Sequence, residues 1–388
     1  MDRSAIRTGV LVLAVALASV ACSDDKPSSS GSSSTPASAT PASTDGGASD
    51  GVTSAGISAE RCAQNQKAGK ITYFSSFDFS ASAAILDVQV AKKKGYFEKL
   101  CLDVELRPGF STTNYPLIAA GKAQFSSAGN YTEMLNYARD GAEFVALVDY
   151  GKVPVEALVA KQGGITELAQ LKGKTIGIKG DLPPSLVAML KKAGLTRGTD
   201  YEELLLEGYD PVVQLGMPID ALPVYKTNEP GQLDAAGVKY TMFDPASNDI
   251  PGSFGIIYTS KEFATKHPTA TEDFVRASLR GMEDALANPT EAIKIAVDNI
   301  DAAGNEMFLT LQGETYRWTN ESAMITASTP AGEPVGIIHG DQLDKEYQTY
   351  LDAGVWPKDP PKNGKFYDES IAKKLYDADG KVIFPTGK

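Results

Sequence analysis

From Ile71 onward short apolar runs alternate with helical stretches, and this alternation constrains the fold more than any other feature of the chain. Ile71-Thr72-Tyr73-Phe74 reads as a strand. The spacing over 83–94 predicts a helix with Ile85, Val88 and Val90 or Ala91 inward, stopped by Gly95. Strands follow over 102–106, 124–127 and 144–148, separated by helices over 113–120 and 131–139. Strand–helix repeats of this kind need a largely parallel sheet covered by helices on both faces. The pattern breaks at Gly163-Gly164 and restarts with strands over 175–178, 204–206, 221–225 and 237–243 and helices over 185–192 and 210–215. Ile256 to Thr259 would return to the first sheet, and helices are expected over 271–287, 289–299 and 341–352. The fold class is α/β: two lobes of mainly parallel sheet with flanking helices and a hinge, the second lobe inserted into the first. The crossing segments lie near 152–163 and 248–256, and 388 residues suffice for two such cores.

The first sixty residues break the pattern. Arg3 and Arg7 precede an apolar run, Val10 to Ala21, that ends at Cys22 and is too short to span a bilayer comfortably; it reads as a secretory signal. From Cys22 to about Ser58 the chain is Ser, Thr, Ala, Gly and Pro, with Val52 and Ile57 nearly its only bulky apolar residues. Such a segment cannot offset its ordering entropy and is expected to be a flexible tether. A basic start, an apolar run, small residues, one cysteine and a polar tether together resemble a bacterial lipoprotein signal. That resemblance implies cleavage before Cys22 and lipidation of its thiol, with the protein held on the extracytoplasmic face of the cell membrane. The expected organisation is a signal over 1–21, a tether over 22–60, lobe one over 61–158 and 252–388, and lobe two over 159–251.

Lys and Arg number 37 against 49 Asp and Glu, a net charge of −12, which excludes nucleic acid as a partner without a local basic patch. Two histidines and three cysteines leave little material for a zinc site, an iron–sulfur cluster or a His-dependent triad, and no metal or cofactor is expected. Export permits disulfides. With Cys22 lipidated, Cys62 and Cys101 remain as a pair, each just before one of the first two strands. A bridge between them is the favoured reading, two separate thiols the alternative.

Lys92 to Lys99 followed by Leu102-Asp103-Val104-Glu105-Leu106 resembles the opening phrase of the periplasmic substrate-binding proteins of ABC importers. The likeness is greatest to the branch that handles thiamine's pyrimidine precursor, alkanesulfonates and nitrate. Cys101 stands where that phrase usually has Gly. Further similar phrases follow in family order: Pro116 to Phe125, Gln170 to Ile178, Lys191 to Leu195, and Asn228-Glu229-Pro230-Gly231-Gln232-Leu233-Asp234-Ala235-Ala236-Gly237. The last points toward the pyrimidine branch. Phe77-Asp78-Phe79 stands where pyrimidine relatives tend to carry an Asp-Trp pair.

The resemblance implies a monomer whose cleft closes by hinge motion on a small solute and delivers it to membrane permease subunits. In open α/β sheets ligands sit beyond the carboxyl ends of strands, near helix amino termini. Those loops supply the candidate ligand residues Phe77, Asp78, Phe79, Ser111, Thr112, Asn130, Tyr131, Asp181, Ser185, Tyr225, Asn228 and Glu229. Asp78 and Glu229 can accept hydrogen bonds from an aminopyrimidine; each could equally be a structural or solvated carboxylate. Thr112 and Ser185 read first as helix caps, and Phe77, Phe79 and Tyr131 as either cleft or core aromatics. The expected ligand is a small heteroaromatic solute such as a thiamine-pathway pyrimidine. Riboflavin or an aromatic or sulfonated acid is the second choice. A thiamine-pyrimidine synthase ranks below both, because His267 and His339 read as structural or surface residues and no enzyme motif stands out.

Overall fold

The computed structural model describes residues 51–138, 141–304, 309–356, 358–361 and 365–386. The expected signal, Cys22 and the tether as far as residue 50 lie outside them. Regular structure is present before the expected boundary at residue 60, in a two-stranded hairpin of β1 (Val52–Thr53) and β2 (Gly56–Ile57). Val52, one of the two bulky apolar residues of that stretch, is wholly buried in the first lobe's core. Ser58 caps α1 (Ala59–Gln66) by accepting a hydrogen bond from Arg61 N at 3.2 Å. Arg61 then fastens the helix through Nε to Asp273 at 2.8 Å and Nη2 to Glu272 at 2.6 Å. One buried valine and one buried ion-pair cluster therefore hold residues that composition alone assigns to the tether.

The first sheet grows from β3 (Lys70–Phe74), with Ile71 and Tyr73 buried on one face. Helices α2 (Leu86–Lys93) and α3 (Tyr96–Lys99) lead to β4 (Asp103–Arg107), which pairs parallel with β3. Cys101 begins this turn and is bridged to Cys62 of α1, with Cα atoms 5.3 Å apart. Its φ of +58° is the left-handed backbone that glycine adopts freely, held here by a non-glycine residue at a cost of about 1 kcal/mol or more. Next come α4 (Ser111–Ala119), β5 (Phe125–Ala128), α5 (Tyr131–Ala138) and β6 (Phe144–Gly151).

The chain crosses over residues 152–155 into β7 (Glu156–Lys161), then runs through β8 (Thr175–Ile178), α6 (Pro184–Lys192), β9 (Glu202–Leu205), α7 (Pro211–Gly216), β10 (Ala221–Tyr225), α8 (Glu229–Ala235) and β11 (Tyr240–Phe243). It recrosses over 244–253 into β12 (Phe254–Ser260). The sheet orders are β4-β3-β5-β12-β6 and β11-β7-β10-β8-β9. Each sheet is mixed rather than simply parallel, and the departure has one cause. Strands linked by helices share a direction, as right-handed crossovers require. The strand that enters each sheet directly from the other lobe, β7 or β12, runs against its neighbours. Sequence reading places residues 156–161 in a crossing segment, because four apolar residues between Glu156 and Lys161 give little strand signal.

The remaining helices are α9 (Lys261–Lys266), α10 (Pro268–Ala287), α11 (Pro289–Ala303), α12 (Leu311–Ser328), α13 (Gly340–Asp352) and α14 (Glu369–Lys373). Helix α10 lies directly on α2: an added Cβ at Gly281 would fall 2.0 Å from the Asp87 carbonyl oxygen. Phe274 of α10 stacks on Phe125 at 3.9 Å in the centre of this core. Helix α12 escapes sequence reading because Glu314, Arg317 and Glu321 fall on one face and look solvated. All three are buried on the same face as Trp318 and Ile325, while Gln312, Thr315, Thr319 and Thr326 on the other face are exposed.

Candidate functional site

Strand β7 runs backwards in its sheet, so its first residue, Glu156, lies level with the last residue of β10, Tyr225. That reversal places a carboxylate among the strand ends where ligands of such sheets sit. Glu156 is 5% exposed and accepts from Ser185 Oγ at 3.1 Å and from Asn130 Nδ2 at 3.0 Å. Asn130 belongs to the other lobe, where its Oδ1 caps α5 by accepting from Glu133 N at 2.8 Å. Glu133 turns back to accept from Gly129 N at 2.9 Å and from the Ser111 hydroxyl. Burial raises the pKa of both Glu133 and Glu156 above the ordinary range, and the charge of Glu156 adds to the shift of Glu133.

An aromatic wall faces these carboxylates. Phe110 and Tyr225 are 49% and 48% exposed, unusual for rings of their size beside buried acids. Phe77 meets Phe110 edge to face at 5.9 Å. The Tyr225 hydroxyl is pushed far above its ordinary pKa by burial, then by Glu156, Glu133 and Glu229, with Arg317 opposing. A ring half open to solvent, with a hydroxyl that feels the charges of Glu156, Glu133 and Glu229, lies beside the carboxylates rather than apart from them.

Helix α12 closes one side. The Arg317 guanidinium lies 5.6 Å from the Phe77 ring centre, and Nη2 donates to Asn228 Oδ1 at 3.0 Å. Its Nε contacts Glu314 Oε2 at 3.2 Å, and that oxygen also accepts from Ala81 N at 2.6 Å. One turn on, Glu321 accepts from Ala83 N at 2.6 Å and from the Thr227 hydroxyl at 3.4 Å. Burial lifts the Glu321 carboxyl to about 7. The helix thus holds residues of both lobes.

Of the candidates read from sequence, Phe77, Ser111, Asn130, Ser185, Tyr225 and Asn228 come together here. Glu229 is adjacent and, unlike Glu156, ion-paired: Oε1 meets Lys179 Nζ at 2.9 Å, and Oε2 accepts from Tyr225 N at 2.8 Å. It holds the Tyr225 loop, and its charge is met by Lys179. Asp78 is a buried turn residue with φ of +48° whose Oδ1 accepts from the next amide, Phe79 N, at 2.8 Å. Phe79 is half-buried and its carbonyl accepts from Gln89. Thr112 is exposed on the first turn of α4. Tyr131 lies in the core against Tyr367, because the first residue of α5 points inward, away from the cap at Asn130. Asp181 is exposed and paired with Arg197, which draws it away from Ser185.

Glu133, Glu156 and Arg317 were missed by sequence reading. The spacing of Glu133 three residues after Asn130 is a capping-box signal; Glu156 and Arg317 become visible only once β7 and α12 are placed. Among the described residues no group of three or more His, Cys, Asp or Glu side chains could hold a metal ion.

Residues 83–292, more than half of the chain, match the family model described as NMT1/THI5 like. The chain belongs to the NMT1/THI5-like family. The riboflavin-binding protein RibY of Chloroflexus aurantiacus is 28% identical over 228 residues, 55% of this chain and 62% of that protein, so the chain spans less than two thirds of that relative's length. The formylaminopyrimidine-binding protein of Halalkalibacterium halodurans is 25% identical over 295 residues, 73% of this chain and 85% of that protein. Among solved structures, the periplasmic aliphatic sulphonate binding protein SsuA from Escherichia coli superposes with a TM-score of 0.57 at 15% identity, over 82% of this chain and 93% of that one. The desulfurization enzyme DSZB does so with a TM-score of 0.52 at 13% identity, over 79% and 99%. The fold of this NMT1/THI5-like chain is thus that of the periplasmic binding proteins. The family match ends at residue 292, so it includes Glu133, Glu156 and Tyr225 but stops short of α12.

Proposed function

We propose that the chain is the extracytoplasmic solute-binding component of an ABC importer, and that it captures a small heteroaromatic solute, similar to a thiamine-precursor pyrimidine, between its lobes. The observation that carries this reading is the pairing of two open aromatic rings, Phe110 and Tyr225, with a buried carboxylate, Glu156, and a half-buried one, Glu133. Flat rings favour a flat ligand, and carboxylates favour one with N–H groups at its edge. A sulfonate or nitrate held about 4 Å from one such carboxylate would meet roughly 4 kcal/mol of repulsion at an effective dielectric of 20. Asn130 of one lobe already bonds Glu156 of the other, so hinge closure and ligand capture use the same groups.

Riboflavin is the second reading, favoured by the RibY relative. An aromatic or sulfonated acid follows it, and its repulsion by the carboxylates counts against it. A catalytic role is less favoured: His339 is engaged with Glu333 at 2.9 Å and His267 packs against Phe263. Lipid attachment at Cys22, residence at the membrane surface, delivery to a permease and a monomeric state complete the proposal.

Thermal-shift screening of the purified protein tests it. A ligand at one hundred times its dissociation constant should stabilise by about 2.7 kcal/mol. Stabilisation by a formylaminopyrimidine or riboflavin, recovered chemically unchanged by mass spectrometry, is the expected result. Stabilisation by sulfonates or nitrate alone, or conversion of the ligand, would overturn it.

A further inference from the structure

Arg317 is a buried cation whose fork is only partly used. It is 5% exposed, and its described bonds run from Nε to Glu314 and from Nη2 to Asn228. Among the described residues nothing bonds Nη1, which carries two N–H groups. Nη1 is also absent from the wholly enclosed polar atoms that lack a partner, so that corner of the guanidinium is not sealed off. The open corner lies beside the aromatic wall, with the guanidinium over Phe77 and its charge reaching the Tyr225 hydroxyl. Glu314 neutralises the cation and α12 fixes its position, so the side chain is held before any ligand arrives. Helix α12 lies beyond the residues that match the family, so this group is supplied by the chain's own C-terminal segment.

We propose that Arg317 is a specificity-determining residue: its open N–H pair receives a carbonyl or carboxylate oxygen on the edge of the bound heteroaromatic, opposite the N–H edge taken by Glu133 and Glu156. The cleft then selects rings that carry a donor edge and a carbonyl or carboxylate oxygen over rings that lack such an oxygen. This rests on the reading of the cleft as a heteroaromatic site.

The test is calorimetric titration of the whole protein with three probes: a formylaminopyrimidine and riboflavin, which carry carbonyl oxygens, and a hydroxymethyl-aminopyrimidine, which has none. A charge-assisted hydrogen bond implies a preference of about tenfold or more for a carbonyl-bearing probe. In Arg317→Gln that preference should collapse toward one, while Arg317→Lys, which keeps the charge, should retain part of it. Thermal melting of both variants checks folding, and the ratio between probes is a quantity that a purely structural role would not move. If the probes bind and both variants keep the wild-type ratio, the assignment of Arg317 is wrong and the cleft reading stands. If no probe binds the wild-type protein, the cleft reading fails and takes the Arg317 proposal with it.

Discussion

Asn130 Nδ2 donates to Glu156 Oε1 at 3.0 Å across the boundary between the two sheets, while Asn130 Oδ1 caps α5. One side chain therefore links helix stability in one lobe to the carboxylate at the head of β7 in the other. Asn130→Ala should cost about 1 kcal/mol for the cap, and somewhat more if the bond to a buried carboxylate is also lost. Asn130→Asp keeps the cap but sets a new carboxylate against Glu156. Its melting temperature should fall further below wild type at pH 8 than at pH 5; equal deficits at both would contradict the contact.

The aromatic wall makes a separable prediction. Tyr225→Ala and Phe110→Ala remove rings that are half open, so melting temperatures should change little. Stacking on a flat ring contributes roughly 1–3 kcal/mol, so affinity for the heteroaromatic ligand should drop about fivefold to hundredfold. Unchanged affinity in both variants would remove the wall from the site.

Asp149 of β6 is wholly buried, and among the described residues neither carboxylate oxygen has a hydrogen-bond partner. Burial raises its pKa to about 7, with Lys152 lowering it and Glu346 raising it. The folded state therefore holds this proton more tightly than the unfolded chain, whose carboxyl titrates near 4. Between about pH 4 and 7 the folded protein binds more protons, so this group's effect on stability becomes less favourable as pH rises and levels off above 7. Asp149→Asn should gain stability relative to wild type as pH increases from 5 to 8. A difference in melting temperature that is flat with pH would show that Asp149 is not the titrating group.

The Cys62–Cys101 bridge closes a separation of 39 residues and ties α1 to the turn before β4. Chain-entropy reasoning assigns such a loop about 4 kcal/mol. Cys62→Ser should lower the denaturation midpoint accordingly, and reductant should shift the wild-type protein but not the variant. Free thiols found in the exported protein by mass spectrometry would contradict the bridge.

The alternating apolar runs carried nearly every helix-linked strand, because those strands are continuous and bounded by glycines such as Gly95 and Gly121. What stayed hidden were the elements whose polarity misleads. Strand β7 is a four-residue apolar run between Glu156 and Lys161, and its reversal, which moves Glu156 into the site, is a property of lobe crossing that no local pattern encodes. Helix α12 buries Glu314, Arg317 and Glu321, charges made tolerable by the Glu314–Arg317 pair and by partners at Ala81, Ala83, Thr227 and Asn228. Glu229 illustrates the converse: the phrase around it resembles a ligand motif, yet Lys179 and the Tyr225 amide occupy both its oxygens. Val52 likewise folds a segment whose composition reads as tether, since one well-placed apolar side chain is not a compositional signal.

In the proposed cleft Glu156, at the meeting point of the lobes, receives the donor edge of a heteroaromatic solute. Calorimetric titration of wild type and Glu156→Gln with a formylaminopyrimidine, riboflavin and an alkanesulfonate tests it most directly. At least one of the two heteroaromatics should bind the wild-type protein, the sulfonate should not, and Glu156→Gln should weaken the heteroaromatic about tenfold or more while remaining folded. Tight sulfonate binding by the wild type, or heteroaromatic affinity untouched by Glu156→Gln, would contradict it.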